Sequence, residues 1–293
     1  MKLVATLAII SALLLAGFLI LRPRIAEIGR PKVPDTSGRA RTHIPDGTTA
    51  GTPAEPATSG STSPATVDAT GIEHSEEIEK LILELVNENR RKAGGALNDL
   101  TWDDTLQHIA REHSDDMLAR RFFDHVNPDG LSHADRIALA HRQLVGLTGE
   151  NIFKLSDYPA TEARKTAELI VRELMASPGH RENILRPEFT HLGVGVSIRG
   201  GEIRTTQNFA RIRALVDQPV PREVKSGEVL HLSTTPGAEK YDFWLSSGGI
   251  NVGGPFDIGD GTVRVQPGVY KVRFYFPTAS GYTLFMGPQI EVK

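Results

Sequence analysis

The run Ser177-Pro178-Gly179-His180-Arg181-Glu182-Asn183-Ile184-Leu185 is followed by His191-Leu192-Gly193-Val194-Gly195-Val196-Ser197-Ile198, and between the two the period changes. The first stretch opens with a serine before a proline. That is helix-start chemistry, because proline lacks an N–H that the first helical turn would leave unpaired anyway. In the second stretch Leu192, Val194, Val196 and Ile198 alternate with His191, Gly193, Gly195 and Ser197. A two-residue period marks a strand with one apolar face. Gly200-Gly201 supplies a hairpin turn, and Ile203 to Ala210 reads as the returning strand. A helix that gives way to an antiparallel hairpin predicts an α+β fold.

Upstream of this stretch the pattern is helical. Ser75 is placed as an N-cap, with Glu76, Glu77 and Glu79 in the turn where the helix dipole favours anions. Ile78, Leu81, Ile82, Leu85 and Val86 then follow the 3.6-residue period, and Gly94-Gly95 ends it. A second helix is predicted from about Asp103 to Arg120, with Leu106, Ala110, His113 and Met117 as its buried stripe. A third follows Pro159, with Ala163, Ala167, Ile170, Val171 and Leu174 on one face. These elements define a first folded domain over residues 71–213.

Downstream, helical periodicity disappears. Residues 214–293 hold 10 of the chain's 18 aromatics. Strand-like runs recur at Val229–Thr234, Tyr241–Leu245, Thr262–Val265, Val269–Phe276 and Tyr282–Met286, separated by glycine and proline turns. Short strands at this spacing predict a small all-β sandwich with an Ig-like pattern. Its aromatics read as core before they read as a sugar-stacking surface. Asp257, Asp260 and Gly261 suit a turn better than a calcium loop.

The N-terminal part is of another kind. Leu3 to Leu21 is 19 residues without a charge. At about 1.5 Å per residue such a helix nearly spans a hydrocarbon core of about 30 Å. Residues 1–21 are therefore expected to be a transmembrane signal anchor, with a cleaved signal peptide and secretion as the alternative. Arg22, Arg24, Arg30, Lys32, Arg39 and Arg41 follow the span, which by the positive-inside tendency favours a cytoplasmic placement of that flank. Of residues 45–67, 16 of 23 are Pro, Gly, Ser or Thr. Residues 22–70 thus read as a linker that cannot bury enough apolar surface to offset its chain entropy.

Composition removes several function classes. The chain has 293 residues, 39% of them hydrophobic, so a globular core is affordable. The net charge of -3 gives no electrostatic case for nucleic-acid binding. There are 0 cysteines, which excludes disulfides, thiolate zinc sites, iron–sulfur clusters and a cysteine nucleophile. No H-E-x-x-H, G-x-S-x-G or P-loop sequence occurs. Seven of the 10 histidines (108, 113, 125, 133, 141, 180 and 191) fall between residues 101 and 191. Imidazole is a ready metal ligand and general base, so this clustering is the chemical clue. His113 sits on an apolar helix face and reads as a core residue, while His133 and His141 are expected on exposed helix faces.

Five motifs in order then resemble the CAP superfamily in its prokaryotic, SCP-like form, over about residues 75–213. They are Phe122-Phe123-Asp124-His125-Val126-Asn127-Pro128-Asp129-Gly130, Gly149-Glu150-Asn151-Ile152, the run from Ser177 to Leu185, His191 to Val196, and Thr206-Gln207-Asn208-Phe209-Ala210. The resemblance implies an α-β-α sandwich with a surface cleft lined by two histidines and two glutamates, the histidines able to hold a divalent metal. The matching residues are His125, His180 and Glu150. The second glutamate falls near Ser177, and Glu173, one turn earlier, is the nearest carboxylate. Two imidazoles and a carboxylate make a minimal open zinc site, with water completing it.

Two functions follow as expectations. One is a membrane-anchored, single-pass extracytoplasmic protein whose His/Glu cleft binds a divalent metal such as zinc, a lipid-like molecule or a peptide. The other is a metal-dependent hydrolase or peptidase in which His125 and His180 are ligands and Glu150 is the general base. Membrane contact is expected through the N-terminal helix, and no nucleic acid is expected as partner.

Overall fold

The computed structural model describes residues 71–95, 97–245, 250–257, 263 and 265–293. The expected membrane segment 1–21 and linker 22–70 lie outside them, as do Asp260 and Gly261. In chain order the elements are β1 (Glu73–His74), α1 (Glu76–Ala93), β2 (Thr101–Trp102), α2 (Asp104–Ala119), α3 (His133–Ala140), β3 (Leu144–Leu155), α4 (Ala163–Ala176) and α5 (Pro178–Leu185). They continue with β4 (His191–Arg199), β5 (Glu202–Val216), β6 (Glu223–Val224), β7 (Thr234–Thr235), β8 (Lys240–Leu245), β9 (Ile250–Asp257), β10 (Gly268–Thr278) and β11 (Gly281–Val292).

Among the described residues the strands join in one sheet, ordered β1-β4-β5-β3-β11-β10-β8-β9 along its main path. The hairpin is in place: β4 and β5 pair antiparallel from His191↔Ala210 to Arg199↔Glu202. On one face of it, Leu192, Val194 and Val196 pack with Ile78 and Ile82 of α1 and Ile170 and Leu174 of α4. On the other, Leu106 and Ile109 of α2 and Ile137 of α3 pack with Leu144 and Ala210. The alternation in the sequence explains the contact with α2. A Cβ on Gly193 would stand 2.1 Å from the Gln107 nitrogen, and one on Gly195 2.2 Å from the Arg111 nitrogen. Only glycine lets the α2 backbone lie directly on β4. Leu106 is fully buried in that contact. Truncating such a leucine to alanine costs about 2–5 kcal/mol.

The caps agree in part with the sequence. Ser75 Oγ accepts from the Ile78 N–H at 3.3 Å, and Asp103 caps α2 from Leu106 at 2.7 Å. Ser177 does stand at the cap position of α5, but its side chain makes no capping bond. Several elements, α3 and β3 among them, are given no bounds by the sequence. The helix α3 is only 8 residues long, opened by a reciprocal Ser132–Asp135 capping box. The strand β3 is the sheet's centre, and its burial does not alternate cleanly because it is covered on both sides over much of its length.

The strand β5 runs on to Val216, across the expected domain boundary at residue 213. Beyond it the C-terminal strands continue the sheet, since β11 pairs β3 at Met286↔Gly146. Their core holds Tyr241, Phe243, Val272, Phe274 and Phe276 together with Val145, Ala214 and Val216 from β3 and β5. Lys271 of β10 reaches Asp135 of α3 at 2.8 Å. Most of the aromatics are thus core residues. Two strand expectations shift. Of Val229–Thr234 only Thr234 lies in a strand, and Gly253-Gly254-Pro255, read as a turn, lies within β9.

Candidate functional site

Glu150 lies on β3, one residue after Gly149. A Cβ on Gly149 would come 2.7 Å from the Phe189 ring, so the strand is pressed against the core there. The Glu150 side chain is 1% exposed, yet both carboxylate oxygens are bonded. His125 Nδ1 lies 2.8 Å from Oε1, and Arg136 Nη2 donates to Oε2 at 2.6 Å. Burial pushes the Glu150 carboxyl up, but the His125 hydrogen bond and the Arg136 charge outweigh it and hold the group below its usual range. An ionised carboxylate only accepts, so His125 Nδ1 carries the proton and Nε2 is left with its lone pair in the neutral ring. The His125 side chain is 48% exposed, so that free nitrogen is open to solvent.

His180 comes from α5 and is half-buried. Two asparagines hold its helix against β3. Asn151 Nδ2 donates to the His180 carbonyl at 3.1 Å and to Gln207 Oε1 at 3.0 Å. Asn183 Nδ2 donates to the Glu150 carbonyl at 3.1 Å and to Asn151 Oδ1 at 2.9 Å. Among the described residues the His180 ring has no hydrogen-bond partner. Burial lowers its pKa, and the neighbouring His125 lowers it further. His125 moves the other way: the hydrogen bond it donates to Glu150 raises it.

The structure thus gathers His125, Glu150 and His180. It leaves Glu173 out: that side chain is exposed on α4 and bonded to Arg172 Nη2 at 2.8 Å. It also adds residues that the sequence did not single out. Arg136 is the counter-charge of Glu150, and it donates to the backbone carbonyls of His125 at 3.0 Å and Leu131 at 2.8 Å. One guanidinium therefore fixes both the carboxylate and the loop that carries the histidine. His113 is buried as expected, with Nε2 donating to the Asp124 carbonyl at 3.0 Å. His133 is half-buried rather than exposed, and burial lowers it, with the Glu150 charge opposing. His141 is also not exposed: it is buried at the end of α3, with Nε2 3.5 Å from Asp103. A helix of two turns packed between the sheet and a loop has little free face.

The donor set bears on the metal that the resemblance implies. His125 and His180 are near enough for the one to lower the pKa of the other, whereas a catalytic zinc site has three protein ligands. Among the described residues no group of three or more His, Cys, Asp or Glu side chains is placed to hold a metal ion. The described residues thus offer no three-ligand site; His125 and His180 are the two imidazoles beside the Glu150 carboxylate.

The family described as Cysteine-rich secretory protein family, CAP, matches residues 83–209. Residues 83–209 form a CAP domain. It is of the prokaryotic type, and it reaches this fold with 0 cysteines. The chain is 39% identical over 132 residues to an uncharacterized protein, YkwD, of Bacillus subtilis (strain 168), covering 44% of this chain and 46% of that protein. It is 37% identical over 134 residues to an uncharacterized membrane protein, YlbC, of the same organism, covering 45% and 34%. The chain thus spans less than half the length of either curated relative. Among solved structures, an extracellular protein containing a SCP domain from Bacillus anthracis is 30% identical, with a TM-score of 0.37 over 46% of this chain and 40% of that one. His125, Glu150 and His180 all lie inside the matched residues. Among the described residues no helix is long and apolar enough to cross a membrane.

Proposed function

We propose that the protein is a membrane-tethered, extracytoplasmic binding protein whose CAP cleft takes a divalent metal through His125 Nε2 and His180. The observation that carries this reading is the Glu150–His125 hydrogen bond at 2.8 Å. A metal-binding histidine characteristically gives its other ring N–H to a carboxylate, which sets the tautomer and the ring orientation. In this reading Glu150 is a positioning residue, and Arg136 holds it ionised. Zinc bound there would supply a Lewis acid and a polarised water. The apolar run Leu3–Leu21 and the relative named as a membrane protein support the tether. Residues 214–293 are then an accessory β module, kept as an Ig-like sandwich only at the level of its strand pattern.

The hydrolase alternative makes Glu150 a general base. A carboxylate held below its usual range, with both oxygens already bonded, is a poor one. Binding is therefore placed ahead of hydrolysis. The test is zinc calorimetry on the detergent-solubilised chain. One zinc per chain in the native protein, lost in His125→Ala/His180→Ala, is the expected result. A folded native protein that takes up no zinc would end the metal reading.

A further inference from the structure

A cavity of about 490 Å³ lies between the end of α2, the loop after it, the end of β3 and the β4–β5 hairpin. Its lining includes none of His125, Glu150 and His180. It does include Arg121, Lys154, Arg199 and Arg204, against one acid, Glu202. The whole chain carries a net charge of -3, so this is a local concentration of the opposite sign. Clefts lined by one sign of charge focus field and raise the local concentration of counter-ions.

The cations are incompletely paired. Glu202 takes Arg204 Nη2 at 3.0 Å and the Ser156 hydroxyl at 3.1 Å. The Arg204 side chain is 13% exposed, and its Nε is buried without a partner. Arg199 donates to the Leu118 carbonyl and meets no carboxylate among the described residues. Lys154 Nζ stands 4.9 Å over the Phe123 ring, itself 37% exposed, and also meets no carboxylate there. Arg121 has no hydrogen bond or ion pair among the described residues, and it holds a φ of 59°, a region that favours glycine. The buried Arg204 donor lacks an acceptor, while Arg121 and Lys154 are exposed cations with no ion pair among the described residues, so both stand open to an incoming anion.

We propose that this cavity binds a phosphate or diphosphate group carried on a small organic molecule. Guanidinium forks match phosphate oxygens, and several charge-assisted bonds converge on one group. A group of charge near -2 offsets most of the excess, which a single carboxylate does not. The exposed Phe123 face would meet the organic part. The volume lies within the range of small-molecule sites. The same chemistry belongs to a soluble phosphate monoester and to the phosphomonoester headgroup of a phosphatidic acid.

Calorimetry on the full chain in non-ionic detergent separates these sources, with sodium pyrophosphate in one arm and soluble dihexanoyl phosphatidic acid in the other. Binding of either probe, weakened by about tenfold or more in Arg121→Ala/Lys154→Ala and weakened by added salt, supports the site. Pyrophosphate binding selects the soluble ester, and binding of the lipid alone selects the headgroup. Neither altered side chain has a folded-state ion pair, so the double variant should keep the native circular dichroism and the native zinc response. His125→Ala/His180→Ala should bind the anion as the native chain does, which keeps the two sites distinct. No binding of either probe by the native chain would overturn the proposal. So would binding that survives the Arg121→Ala/Lys154→Ala change.

Discussion

Glu79 on α1 and Glu150 on β3 are both buried carboxylates that face an arginine, at 0% and 5% exposure. Glu79 is closed on every side. Oε1 accepts from Arg111 Nε at 2.8 Å and from the Val196 N–H at 2.9 Å, while Oε2 accepts from Gln107 at 2.7 Å and Arg111 Nη2 at 2.5 Å. It ties α1 and α2 to β4. Glu150 accepts one bond on each oxygen, and one of its partners is a histidine open to solvent. Burial and a counter-charge therefore do not by themselves mark a site. What marks it is a buried charge spent on holding an exposed group whose second face is free.

Removing the counter-charge should separate the two glutamates most strongly. Arg111→Ala leaves Glu79 buried without its cation, and a loss of about 3–5 kcal/mol in denaturant unfolding is expected. Arg136→Ala leaves Glu150 with His125, which can itself carry the compensating proton. The expected loss is smaller, about 1–3 kcal/mol. It should also grow as pH rises, because the positive partner that remains is one that titrates. Equal, pH-independent losses in the two variants would dissolve the contrast.

Glu150→Gln acts on function more than on stability. It removes the acceptor that selects the His125 tautomer, and zinc affinity should fall by about 10–100-fold. It should also change the titration of His125, followed by NMR. In the native protein Glu150 raises His125 above its ordinary value of about 6.5. That group therefore adds stability that is complete below about pH 6.5 and is lost as pH rises through the raised folded value. His113, His133 and His180 are lowered by burial. Their contribution is complete above about pH 6.5 and is lost as pH falls toward their folded values. The expected spectrum has His125 titrating above the other three, and in Glu150→Gln it moves down toward them. A His125 midpoint that does not move would mean that Glu150 does not set its proton.

Much of this arrangement is legible in the sequence, for reasons that differ by element. The period-2 run at Leu192–Ile198 and the 3.6 period of α1, α2 and α4 are strong because each element has one covered face. The glycines at 193 and 195 carry further meaning, since they report a helix backbone lying on the strand. The strand β3 was hidden by its position: covered on both sides, it has no alternation to read. Arg136 was hidden as well. An arginine in the first turn of a two-turn helix has no pattern of its own, and its partners are 11 and 14 residues away. His125, Glu150 and His180 were found through ordered motifs, not through spacing. The depth of burial of His133 and His141 followed from packing that no local period records.

The smallest expected effect concerns Glu173, the one carboxylate offered by the sequence as a second acid for the cleft. Its side chain is 44% exposed and its partner is the adjacent Arg172. Exposed pairs of this kind contribute about 0–1 kcal/mol. Glu173→Gln should therefore leave zinc affinity within about twofold of native and stability within about 0.5 kcal/mol. A tenfold loss of zinc affinity would instead place α4 in the cleft and give the site two acids. The contrast with Glu79 would then need a different basis, because an exposed carboxylate would be acting where only a buried, positioned one was expected to act. If the affinity holds, the cleft works with a single carboxylate, and its task is to aim His125.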